Sequence, residues 1–288
     1  MKRTQGENVF NVFNICLLGL LGFSCLMPFV HIFAKSMSSE IYVLAKEVVF
    51  FPRGFTINAY RFIIINRQFR MSFNLTVSIT LLGTAVALLT TSLTAYVLSR
   101  KQLPGGMIIA LLYIFTMFFG GGMIATYILY KQIGLIDNYW VLIFPACINP
   151  FNIILMRNFF ESISPSLEES AKIDGASHFR ILFKIIIPLS KAALATIGLF
   201  FAVTYWNSFF GALMYTTKRE LMTIQLYLRN MLTAIDNLMD TNSEMLDTLA
   251  TETVRAATII AAMIPILLVY PFVQKYFVKG IMIGAIKE

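Results

Sequence analysis

The sequence predicts an all-α, polytopic membrane protein with six transmembrane helices, and three observations carry that prediction. Of its 288 residues 58% are apolar and only 13% charged, with a mean hydropathy of +0.74, which lies outside the range of soluble domains. Six stretches, about 12–34, 72–98, 106–129, 138–158, 192–214 and 253–274, each supply the roughly 20 apolar residues that a helix needs to cross a hydrocarbon core. Between the fourth and fifth lies one long, charged, helix-patterned segment, Ser164 to Pro188, which belongs outside the bilayer.

The N-terminal MKRTQGEN has the charged start of a signal peptide, but the following apolar run is too long and lacks an A-x-A-like exit, so it reads as a retained first span. Gly22-Phe23-Ser24-Cys25 is a poor lipobox. The outer segment 35–71 is too rich in apolar and aromatic residues (Val48, Phe50, Phe51, Tyr60, Phe62) for a disordered linker and reads as folded. Span two carries Thr76, Thr80, Gly83, Thr84, Ala87, Thr90, Thr91 and Thr94 within an arc of about 120°, a small polar face made for packing against other helices. Span three ends in Gly120-Gly121-Gly122, which loosens the helix near the outer surface and, without G-K-[ST], is no phosphate cradle. Span four holds Pro145, Asn149, Pro150 and Asn152, so its middle is kinked and its freed carbonyls must face protein or a water-lined path. Span five holds Thr204, Tyr205, Trp206, Asn207 and Ser208 well inside the apolar run, where polar side chains point inward. Such an asparagine either lines a path or bonds a neighbouring helix. Residues 215–252 read as a polar outer loop whose acids, Asp236, Asp240, Glu244 and Asp247, lack calcium-loop spacing. The last span contains Pro265 and Pro271.

Six spans put both termini on one side, and the short acid-free loop with Arg100 and Lys101, together with Lys2 and Arg3, makes that side the cytoplasm. The net charge of +8 is spread over membrane-flanking loops in clusters of at most two adjacent bases, which excludes a nucleic-acid partner. Cys16, Cys25 and Cys147 lie in apolar runs and read as small hydrophobes.

In the charged segment, Ser164 can cap a helix that opens on Pro165, and Ser166 with Glu169 makes an overlapping capping-box pattern. Leu167, Ala171 and Ile173 form an apolar side, and Asp174-Gly175 ends the helix in a left-handed turn. A second helix, about 177–187, follows until Pro188, with Asp174 placed to cap it. Glu169 and Asp174 stand about 140° apart around one helix and cannot act as a facing acid–base pair. The result is a knob on the membrane surface, a shape suited to being grasped.

Glu169-Ser170-Ala171, Gly175 three residues on, nine further residues, Ile185, then Ile187-Pro188 resemble the cytoplasmic loop of ABC importer permeases, E-A-A, three residues, G, nine residues, I, one residue, L-P. Ser170 in the second position and Ile187 for Leu depart from that pattern. Phe51-Pro52 with Thr56 to Tyr60, Ala95-Tyr96 with Ser99-Arg100, Gly134 to Asp137, and Trp206-Asn207-x-Phe209 are similar to further stretches of sugar-import permeases. The tail Gln274 to Gly280, then Gly284-Ala285-x-Lys287, resembles the subgroup handling polysaccharide-derived or complex oligosaccharides. The resemblance implies one permease domain over 1–288 in a bacterial cytoplasmic membrane, with both termini cytoplasmic and lipid around it. It implies a second, homologous permease subunit, an extracytoplasmic solute-binding protein, an oligosaccharide substrate and two ATPase subunits that hold ATP and magnesium, this chain holding no cofactor. The loop 159–190 would couple to an ATPase through Glu169, Ser170, Ala171, Asp174, Gly175, Ile185 and Pro188. Asn207, Trp206, Tyr205, Thr204 and Asn149 would line the substrate path. An importer permease for a non-sugar solute stays open. A secondary carrier would need acids or histidine in mid-membrane, and a glycan-processing enzyme a carboxylate pair or metal cluster; the sequence offers neither, nor any H-E-x-x-H or nucleophile elbow, and His31 and His178 lie far apart.

Overall fold

Three of the six apolar stretches fold as single long helices, and three break where glycine, proline or asparagine interrupts them. The structure, a computed structural model, describes residues 5–100, 102–239 and 252–285; Lys2, Arg3, Lys101, Asp240, Glu244, Asp247 and Lys287 lie outside them. The helices are α1 Gln5–Ser36, α2 Glu40–Leu44, α3 Asn58–Ile65, α4 Arg67–Leu98, α5 Gly106–Phe118, α6 Met123–Gln132, α7 Phe144–Cys147, α8 Pro150–Glu161, α9 Pro165–Ile173, α10 His178–Ile181, α11 Ile187–Leu189, α12 Lys191–Trp206, α13 Phe210–Tyr215, α14 Ile224–Met239 and α15 Glu252–Ala285. Segments Phe10–Ser36, Arg67–Leu98 and Glu252–Val269 are long and apolar enough to cross a bilayer unaided, and each bent pair makes a further span if it is taken as one. Residues 120–122, expected only to loosen span three, turn α6 by 114° from α5, because three successive glycines offer no side chain to pack and Gly122 takes φ 80°. Span four bends by 48° at Ile148-Asn149, ahead of Pro150.

Contacts divide the chain into two compact units, residues 1–70 with 228–264 and residues 71–227 with 265–288. In the first, α1 presents apolar side chains outward from Phe10 to Phe33, as a lipid- or partner-facing helix must, and among its described side chains buries only its end at Ala34 and Ser36. The outer segment after it is folded: Ala34, Val43 and Val48 form a small core, Ser36 and Tyr60 share a hydroxyl bond of 2.8 Å, and the backbone of Thr56 donates to Met37. The Glu40 carboxylate accepts from the Glu252 and Thr253 amides and from the Thr253 hydroxyl, at 2.6–3.2 Å, and so caps α15 from another part of the chain.

In the second unit, Ile79, Ala87, Tyr96, Phe160, Ile181, Phe201 and Tyr205 lie in one continuous core. The threonine face of α4 is used for close packing. Thr76 and Thr91 are fully buried, the Thr76 hydroxyl accepts from the Ile224 amide at 2.9 Å, and Thr90 donates to the Cys147 carbonyl at 3.1 Å. Residues 215–252 do not form a polar loop throughout: α14 occupies 224–239, with Ile224 and Leu226 buried at its start. Scattered charge hid the apolar periodicity of Ile224, Leu228 and Leu232.

The turn before span four is clasped to the end of span five. Asp137, at φ 56°, donates its amide to the Tyr215 carbonyl, while its carboxylate accepts from the Thr217 amide, the Thr217 hydroxyl at 2.8 Å and the Lys218 amide. A short acidic side chain tolerates this left-handed backbone better than most residues. The Thr217 amide, then its hydroxyl, hold the Asp137 carboxyl below the usual carboxylate range. The clasp therefore adds stability above the ordinary range and loses it as pH falls through the depressed value. Thermal unfolding of purified protein should show Asp137→Asn less stable than the native chain at pH 7, with the gap closing as the pH is taken below about 4.

Candidate coupling knob and polar break

Two features of the second unit stand out chemically: the charged knob and the interruption of span five. The knob begins at Ser164, as its sequence suggests, but the Ser164 hydroxyl bonds the Ser166 hydroxyl at 2.8 Å and caps no amide of α9. Ser166 falls inside the helix, so the expected capping box does not form. The C-terminus follows expectation: Gly175 at φ 74° lets the Gly175 amide reach the Lys172 carbonyl (3.0 Å) and the Ala176 amide reach that of Ala171 (2.9 Å), closing the turn at both ends. Ser177, not Asp174, caps the next helix, its hydroxyl accepting from the Arg180 amide at 3.4 Å; Asp174 is too far back and stays exposed.

From Leu182 to Ile186 the second helix widens into a π-turn, with the Ile187 amide reaching back to the Leu182 carbonyl. A proline ring at 188 would crowd the carbonyl four residues earlier, and a wider turn relieves that clash. The chain continues past Pro188 to Leu189 and then turns by 86° at Ser190 into α12. Ala171 is buried and Ile185 packs against the core, anchoring the knob. Glu169, Ser170, Asp174, Gly175 and Pro188 face outward, beside exposed Leu167, Ile173 (87%), Phe179 and Phe183.

Span five is interrupted between α12 and α13. Asn207 ends α12, its amide and its side-chain Nδ2 both donating to the Val203 carbonyl at 3.0 Å. Thr204 and Asn207 are exposed, as is Asn149, whose side chain accepts from the Asn152 amide and starts α8. Tyr205 and Trp206 turn the other way. Tyr205 is buried, its hydroxyl donating to the Ile143 carbonyl at 2.9 Å, and Trp206 packs edge-on against Phe73. Trp206 also walls a recess of about 350 Å³ with Val77, Leu199, Val203 and Pro265, whose apolar lining suits hydrocarbon rather than a sugar. The break is thus braced from inside by two aromatics while its outer side offers a hydroxyl and an amide. Sequence reasoning placed Gly83 on the packing face of span two without its partner, the Tyr205 ring, for which its missing side chain makes room, and it missed the burial of Glu168.

A helical bundle of apolar, broken spans with an exposed polar interruption and a helix–turn–helix knob has the build of a polytopic membrane permease. Residues 105–283 match the family described as binding-protein-dependent transport system inner membrane component, and the chain belongs to that family. It is 42% identical over 281 residues to the polygalacturonan/rhamnogalacturonan transport system permease protein YtcP of Bacillus subtilis (strain 168), covering 96% of this chain and 98% of that protein. Protein LplC of the same organism is 41% identical over 289 residues, 100% of this chain and 98% of that one. Among solved structures, a chain of a bacterial ABC transporter involved in the import of the acidic polysaccharide alginate superposes with a TM-score of 0.87 at 35% identity, over 96% of this chain and 99% of that chain.

A Cβ on Gly83 would fall 2.6 Å from the Tyr205 ring, so Gly83→Val overpacks the contact between α4 and α12. The variant should lose about 1–3 kcal/mol, read as a lowered unfolding midpoint of the detergent-solubilised protein.

Proposed function

We propose that this chain is one of two permease subunits of an ATP-driven importer for oligosaccharides, coupled to cytoplasmic ATPases through the knob. The observation that carries the reading is the knob itself: a helix anchored by Ala171 and closed by Gly175, with Glu169, Leu167 and Ile173 turned outward. Both termini and the knob face the cytoplasm. ATP and magnesium belong to the ATPase subunits, and a binding protein delivers solute on the opposite side. The chain alone turns over neither ATP nor sugar.

The substrate path runs past the interruption of span five, with Asn207, Thr204 and Asn149 offering donors and acceptors to sugar hydroxyls and Tyr205 and Trp206 holding the backbone behind them. Uncharged, hydroxyl-rich solutes suit such a wall. The names of its relatives, alginate and polygalacturonan/rhamnogalacturonan, extend the class to uronate-containing oligosaccharides. Transport is a shift of population: loaded binding protein and ATP favour an outward-open arrangement, and hydrolysis returns it inward.

Co-purification of the tagged chain should retain two ATPase copies and a second permease. Gly175→Val strains the left-handed turn by about 1–3 kcal/mol and should lower both uptake and hydrolysis stimulated by loaded binding protein; full stimulation in a normally inserted variant removes the docking role. For the path, losing one hydrogen bond should change apparent affinity by about 0.5–1.5 kcal/mol. Asn207→Ala should then reduce oligosaccharide uptake per assembled complex while basal hydrolysis stays intact. Unchanged uptake per complex takes Asn207 out of the path.

A further inference from the structure

Glu168 and Glu169 are neighbours in sequence and opposites in the fold. On a helix they point about 100° apart, and here Glu169 is exposed whereas the Glu168 side chain is only 8% exposed. A carboxylate buried to that degree needs a partner, and its partner comes from span two. Arg100, just beyond the end of α4, pairs through Nη1 with Glu168 Oε2, and Lys172 Nζ stands 3.0 Å from Oε1. The guanidinium lies 4.2 Å above the Tyr96 ring, and the Tyr96 hydroxyl meets His178 Nδ1 at 3.4 Å. Burial lowers the Arg100 pKa, yet the group remains a cation at any physiological pH. The end of α4 therefore touches both helices of the knob, α9 through an ion pair and α10 through a tyrosine. A cleft of about 220 Å³ runs beside this contact, walled by Ser99, Arg100, Glu168, Glu169 and Lys172. Among the described residues Nε and Nη2 of Arg100 meet no acceptor, so Arg100 holds Glu168 through Nη1 alone, beside the second pair that Lys172 makes.

We propose that Arg100 and Glu168 are a positioning pair that fixes the aim of the knob to span two, so that α4 and α12 drive it together. The inference rests on the docking of the knob proposed above. Glu168 is committed inward to Arg100, which leaves Glu169 as the carboxylate available to an ATPase. Motion of α4 reaches the knob through a charge contact that resists both separation and sliding, which an apolar contact at the same place would not.

The test uses the full transporter, permease pair, ATPases and binding protein, in proteoliposomes. Arg100→Gln and Glu168→Gln should each keep the ATPase subunits attached while the stimulation of hydrolysis by loaded binding protein falls about tenfold, an ordinary site-to-site coupling. The charge swap, Arg100→Glu with Glu168→Arg, should recover most of that stimulation. A merely structural role predicts fewer assembled complexes with normal stimulation per complex. Singles that couple like the native chain, or an assembled swap no better than the singles, overturn the proposal. Should the singles fail to assemble, Arg100→Lys decides: it keeps the charge, and coupling in it retained above that of an assembled swap without rescue would count against a specific pair, whereas coupling restored in the swap supports one. Glu169→Ala separates the two readings. If it leaves hydrolysis fully stimulated, docking falls and this inference with it; if it uncouples while Arg100→Gln does not, only the positioning pair falls.

Discussion

A bilayer supplies no water to an exposed amide or carbonyl, so every break in a spanning helix must be answered from within the protein. This chain breaks its spans repeatedly, and the rest of the second unit is arranged around the answers. The Ile143 and Cys147 carbonyls of the kinked fourth span are met by the hydroxyls of Tyr205 and Thr90, and the Ser208 carbonyl beyond the fifth-span break is met by Thr223. Thr76 in turn accepts the buried Ile224 amide. Hydroxyls from α4 and α12 thus make the interruptions tolerable, and interruptions are what give a helical bundle polar backbone and side chains at depth.

The small residues follow from the same requirement. A hydroxyl reaches a neighbouring carbonyl only when two backbones come close, and at Gly83 the Tyr205 ring of α12 lies so near α4 that a Cβ there would fall 2.6 Å from it. Thr80, Thr84 and Thr91 hydroxyls have no acceptor among the described residues, which marks their stretch of the face as packing surface rather than polar glue.

How much of this could be read in the sequence depended on range. Span positions, the kink of span four and the glycine-closed end of α9 rest on local chemistry: apolar length, Pro145 and Pro150, and a positive φ at Gly175. The cap was misread because Ser164, Ser166, Asp174 and Ser177 all carry capping oxygens within fourteen residues, and only tertiary placement selects Ser177. The same limit hid the split between Glu168 and Glu169. Helical periodicity separates their directions, but which direction is inward depends on Arg100, sixty-eight residues earlier. Tyr205 and Asn207 looked alike as polar groups in an apolar run, but two residues apart on one helix they point about 200° from each other, and the structure turns Tyr205 into the core and Asn207 out. The family resemblance located the knob and the tail without revealing either of these choices.

The corner at Ser190 gives the fifth span a mechanical character. The knob helix and α12 meet there at 86°, so the two have the shape of a bell crank with one short arm and one long. The long arm, Lys191–Trp206, is 16 residues. At 1.5 Å per residue it reaches about 24 Å, so a tilt of about 10° at the corner carries its far end, where Asn207 stands, sideways by about 4 Å. That is close to the width of a hydroxyl group with its contact shell. On the path proposed above, a small rocking of the knob helix would change which groups face a passing solute, without unwinding any turn in between.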